Sequence, residues 1–112
     1  MVRRMAFLAL AFALGGGTGW PADTAAVKKL FDNKCASCHA KDGKGNTTMA
    51  KPLKLDASKL NLLTPATLGK TDAELAAVTS EGREKMPAYK GKIKPEDIAG
   101  LVTYIRSLAG AR

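Results

Sequence analysis

Five consecutive residues, Cys35-Ala36-Ser37-Cys38-His39, bring two thiols and an imidazole into one short stretch. On a helical turn, positions three and four apart share a face, so all three side chains can converge on one ligand. Each thiol can add to a vinyl group as a thioether, while the imidazole approaches an iron from below. This spacing is the attachment pattern of a c-type haem, with His39 as the proximal iron ligand. Other chemistries fit less well. A thioredoxin-like dithiol calls for a βαβ context, which the chain does not show. A disulfide across two residues closes a tight loop and would stabilise little. A structural zinc site uses four Cys/His ligands, and the sequence holds two cysteines and one histidine.

A low-spin electron-transfer haem needs a sixth ligand, and methionine opposite histidine raises the reduction potential. His39 is the single histidine, so two histidines from one chain cannot serve. Met1 and Met5 fall in the leading segment, which leaves Met49 and Met86. Met86 lies just beyond Gly82 and directly before Pro87, a setting that favours extended backbone. Such a strap can hold a ligand away from a helix, so Met86 is the expected axial partner and Met49 reads as an apolar filler. Tyr89 can pack on the haem or hydrogen-bond near a propionate; it fits an ordinary half-buried aromatic equally well.

These residues need elements to position them, and a chain of 112 residues suits one domain. Arg3-Arg4, an apolar run from Met5 to Leu14 and the small residues Gly15 to Gly19 fit an export signal over 1–19, with cleavage between 19 and 25. The run is too short to span a bilayer; an uncleaved anchor or a buried helix are the other readings. The remainder, 20–112, reads as an all-α domain with three main helices, about 24–34, 71–81 and 95–108. Val27, Leu30 and Phe31 share one face of the first, with Asp23 or Thr24 as its cap. Thr71-Asp72-Ala73-Glu74 is a capping-box pattern opening the second, and Gly82 stops it. Pro95, Glu96 and Asp97 suit the first turn of the third. Its stripe is Ile98, Leu101, Val102, Ile105 and Leu108. Between them, Lys41 to Asn46 is turn chemistry. Leu53, Leu55, Leu60, Leu62 and Leu63 supply apolar surface with no clear period, as loops wrapping a flat cofactor would.

Setting aside Arg3 and Arg4, 16 Lys and Arg face 10 Asp and Glu. The lysines are scattered and lack interleaved aromatic residues, so nucleic acid is not the expected partner. Lys34, Lys41 and Lys44 flank the Cys-His motif, and Lys85, Lys90, Lys92 and Lys94 flank Met86. A positive ring around an exposed haem edge would steer docking onto an acidic partner. A lysine-rich solvated surface with no docking role accounts for the same residues.

Taken together, Leu30-Phe31, Cys35 to His39, Lys41-Asp-Gly-Lys-Gly, Pro52, Gly82 with Met86-Pro87-Ala88-Tyr89, and the helix around Tyr104-Ile105 resemble a class I cytochrome c, the small single-haem kind. The resemblance spans essentially all of 20–112. It implies one covalent haem c wrapped by helices, with the first and last helices crossing and Tyr104 at the crossing. It implies that the backbone carbonyl of Pro52 accepts a hydrogen bond from the second nitrogen of His39, a contact that orients the ligand. The family often carries a glycine where this chain has Val27, and Gly100 on the last helix can compensate.

The expected function is that of a monomeric periplasmic or lumenal electron carrier with no stable membrane insertion, passing one electron at a time between redox proteins. No catalytic residue is expected. The alternatives are an open-site haem protein with peroxidase or gas-binding activity, and a dithiol oxidoreductase using Cys35 and Cys38 without haem.

Overall fold

The computed structural model describes residues 24–110; the export signal read over 1–19 lies outside them, as does its cleavage region up to residue 23. Helices dominate: α1 (Thr24–Lys34), α2 (Ala36–His39), α3 (Thr47–Leu53), a 3₁₀ turn (Ala57–Leu60), α4 (Pro65–Leu68), α5 (Asp72–Glu81) and α6 (Pro95–Gly110). Among the described residues β-type pairing is limited to two isolated bridges, Arg83 with Met86 and Lys90 with Ile93.

The three main helices lie where the sequence expects them. Thr71 caps α5, its Oγ1 accepting from the Glu74 N–H at 3.1 Å. Gly82 ends that helix at φ +75, and a Cβ there would come within 2.7 Å of the Met86 carbonyl oxygen. Only glycine fits between helix end and returning strap. Proline and two acids open α6, suiting its missing N–H groups and positive dipole end.

The leucine-rich stretch is more helical than its sequence suggests. Asn46 caps α3 by accepting from the Thr48 N–H at 3.1 Å. Pro52 lies in the last turn of α3, where it cannot donate to the carbonyl four residues back, and Lys54 ends the helix in a left-handed conformation. A breaker-like Pro52 and the short length hide this helix from a periodicity reading.

α1 and α6 cross and carry most of the core. Val27, Phe31, Ile98, Leu101 and Ile93 are buried together, with Leu30, Tyr104, Ile105 and Leu108 packed against them. Phe31 is fully buried, and its ring centroid lies 5.2 Å from that of Tyr104 at 56°, a tilted aromatic pair at the crossing. Arg106 on α6 ties down the far corner. Its Nε donates to Asp72 Oδ1 at 2.7 Å, Nη1 to Leu68 O at 3.0 Å and Nη2 to Lys70 O at 2.6 Å.

Candidate haem site

The crossing of α1 and α6 leaves a cavity of about 650 Å³ on one side. That volume falls inside the range of about 300–1,000 Å³ usual for cofactor sites. Cys35, Cys38 and His39 line it from the first half of the chain, and Met86, Pro87 and Tyr89 from the second. Phe31, Leu53, Leu55, Leu60, Leu62, Leu75, Val78, Leu101 and Ile105 make the rest of the wall largely apolar. The periodless leucines are thus explained: Leu53, Leu55, Leu60 and Leu62 face one cavity from several short elements.

α2 presents the motif. The Cys35 N–H donates to Phe31 O at 2.9 Å, so the chain turns directly out of α1. The His39 N–H returns to Cys35 O at 2.9 Å, closing the turn that brings thiols and imidazole together. Burial pushes the Cys35 thiol up to about 11, with the neighbouring Cys38 adding to the shift. A dithiol oxidoreductase needs the opposite, a thiol lowered toward neutrality, so the haem-free dithiol reading loses support.

His39 is oriented by its ring contact. Nδ1 lies 2.8 Å from the Leu60 carbonyl oxygen. A carbonyl only accepts, so Nδ1 carries the proton and the lone pair of the neutral ring resides on Nε2, free to bind a metal. Burial holds the imidazole below its usual range, and the Leu60 bond opposes that shift. The ring is therefore kept neutral, as a ligand must be.

This contact corrects one expectation. Pro52 does not supply the carbonyl to His39; it is exposed in the last turn of α3 and does not line the cavity. The partner is Leu60, at the end of the 3₁₀ turn. Residues 47–53 wind into α3, and the chain reaches the imidazole only after it, at the end of the 3₁₀ turn. No side-chain pattern marks a carbonyl donor position, so nothing in the sequence singles out Leu60 for this role.

Met86 is held on a tight hairpin. The Arg83 N–H donates to Met86 O at 3.1 Å and the Met86 N–H to Arg83 O at 2.9 Å. The foot of the strap is tied to α5, with Tyr89 N–H on Thr79 O at 3.1 Å and Lys90 N–H on Ser80 O at 2.9 Å. Tyr89 both lines the cavity and donates its hydroxyl to the Lys34 carbonyl at 2.9 Å, joining strap to α1. Of the lysines expected around the site, Lys34 and Lys85 line the cavity; Lys59, Lys70 and Arg83 join them unforeseen.

The donor set fits a haem: two thiols, a neutral imidazole with a free nitrogen and a thioether sulfur face one apolar cavity. A helical fold with this site defines a c-type haem protein. The family model described as "Cytochrome C oxidase, cbb3-type, subunit III" matches residues 22–105. Cytochrome c6 of Nostoc is 37% identical over 91 residues, covering 80% of this chain and 75% of its own. Cytochrome c6 of Anabaena variabilis is 35% identical over 91 residues, covering 80% and 96%. The cbb3-type cytochrome c oxidase subunit FixP of Bradyrhizobium diazoefficiens is 34% identical over 91 residues, and the match covers 29% of that longer protein. The chain belongs to the mono-haem class I cytochromes c, whose cofactor is covalently attached haem c.

Proposed function

We propose that the chain is an exported carrier of single electrons, in which Cys35 and Cys38 would hold haem c and His39 and Met86 would ligate its iron. One observation carries the reading: all four side chains line a single apolar cavity, and the His39 ring is fixed by Leu60 O with its Nε2 free. The bound haem supplies the ferrous–ferric couple. The chain does the rest. Thioethers at Cys35 and Cys38 would keep the cofactor from leaving. Leu60 O fixes the plane of His39. The leucines and Val78 exclude water and lower the local dielectric, which disfavours the more positive ferric state and, with the methionine ligand, raises the potential. Export is supported by Arg3-Arg4 and the apolar run after them, and among the described residues no helix is long and apolar enough to cross a membrane.

The proposed partners are redox proteins with acidic docking surfaces, met by Lys34, Lys59, Lys70, Lys85 and Arg83 at the cavity. Steering by such charges is salt-dependent. Exchanging Lys85 for Glu is therefore expected to slow electron transfer to an acidic partner at low salt and to matter little at high salt.

The deciding measurement is the visible spectrum of the air-oxidised protein. Wild type is expected to show the weak long-wavelength band of methionine sulfur on ferric haem, and Met86→Ala to lose it. A wild-type spectrum without the band, with ready carbon monoxide binding by the reduced form, would replace the carrier reading with an open-site haem protein.

A further inference from the structure

The two segments that present His39 and Met86 are not secured alike. Ala40, next to His39, has φ 62 and ψ 159, a region that is costly for any residue but glycine. Neighbouring backbone bonds over-determine it: Ala40 N–H to Ala36 O at 2.8 Å, Gly43 N–H to Ala40 O at 3.0 Å, Gly45 N–H to His39 O at 2.8 Å and Asn46 N–H to Cys38 O at 2.9 Å. On the other side, Glu84 has φ 53 at the tip of the Met86 hairpin. What encloses it is the mutual pair of bonds between Arg83 and Met86. A glutamate has no local reason to adopt a left-handed conformation, unlike the glycine or asparagine that hairpin tips favour.

Resting on the reading of Met86 as an iron ligand, we infer that Glu84 is a positioning residue whose strained turn weakens Met86 ligation and makes the sixth position displaceable. The strain belongs to the closed hairpin. When Met86 swings out, the Arg83–Met86 pair opens and Glu84 relaxes to negative φ, so the relief favours exchange of Met86 for an outside ligand. The exchange is of lone pairs alone: the iron–sulfur bond breaks, a bond to the incoming nitrogen forms, and the iron keeps its oxidation state. His39, bound by Leu60 O and by the bonds around Ala40, stays in place.

The test is imidazole titration of the ferric holoprotein, read by loss of the methionine–iron band. Glu84→Gly adopts positive φ without strain, and is expected to need about fivefold more imidazole for half-displacement than wild type. Two controls separate strain from other effects. Glu84→Gln removes the charge and keeps the side-chain clash, so it should titrate as wild type. Lys54→Gly relieves a positive φ far from the Met86 hairpin, at the end of α3, where φ is 55; it should raise the melting temperature without moving the titration. If Glu84→Gly titrates as wild type, or Glu84→Gln moves as far as Glu84→Gly, the inference about Glu84 falls while Met86 ligation stands. If wild type has no methionine–iron band, both fall.

Discussion

Gly100 on α6 faces Val27 on α1 so closely that a Cβ at position 100 would lie 2.9 Å from Val27 Cγ2. Close approach of the two crossing helices thus comes from a glycine on the last helix, with a β-branched side chain filling the space from the first. Both residues are buried, and Val27 has little rotamer freedom with which to yield.

Gly100→Ala is therefore expected to destabilise the holoprotein by about 1–3 kcal/mol, the usual cost of overpacking. Val27→Ala in the same chain should recover part of that loss. A urea-unfolding double-mutant cycle measures it, and strictly additive effects would mean that the two residues do not press on each other.

Removing the attachment chemistry should remove the fold. The cavity walls are leucines and other apolar groups that gain by covering a haem, and the core of buried residues beside it is small. His39→Ala and Cys38→Ala are expected to lose both haem and helical circular dichroism. A mutant that stayed folded without haem would refute this.

Arg106→Leu is expected to cost about 2–3 kcal/mol, in the range for hydrogen bonds from a charged group. The guanidinium is about one-third exposed, and Asp72 is largely in solvent, so the ion pair itself adds little. The main loss is the pair of bonds to Leu68 O and Lys70 O, which fix the corner between α4 and α5. Arg106→Lys should recover little, since an ammonium cannot reach three acceptors with a planar fork. Thermal melts of the three proteins compare the outcomes.

Tyr89 should give stability an alkaline edge. Burial, then the sulfurs of Cys35 and Cys38, raise its phenol above the ordinary 10.0; the sulfur contribution vanishes once both are thioethers, leaving burial. With the folded value above the unfolded one, this stabilisation is complete below pH 10 and fades as pH rises through the folded value. The hydroxyl also ceases to donate to Lys34 O on ionisation. Tyr89→Phe is expected to lose about 0.5–1.5 kcal/mol near neutrality and to remove the fall in stability that begins above pH 10. Urea midpoints at neutral pH and at rising pH above 10 provide the check.

The turn that gathers Cys35, Cys38 and His39, the three main helices and the non-helical strap at Met86 were legible in the sequence because each rests on local chemistry. Spacing puts Cys35, Cys38 and His39 on one turn, and Thr71, Gly82 and Pro95 mark helix ends by the hydrogen bonds they can or cannot make. Other features required the folded chain. A carbonyl belongs to every residue, so only the path of α3 and the 3₁₀ turn decides that Leu60, not Pro52, meets His39. Which lysines border the cavity, and which helix carries the glycine of the crossing, depend on contacts between residues far apart in sequence. The left-handed turn at Glu84 runs against its local preference, and the closed Arg83–Met86 hairpin imposes it.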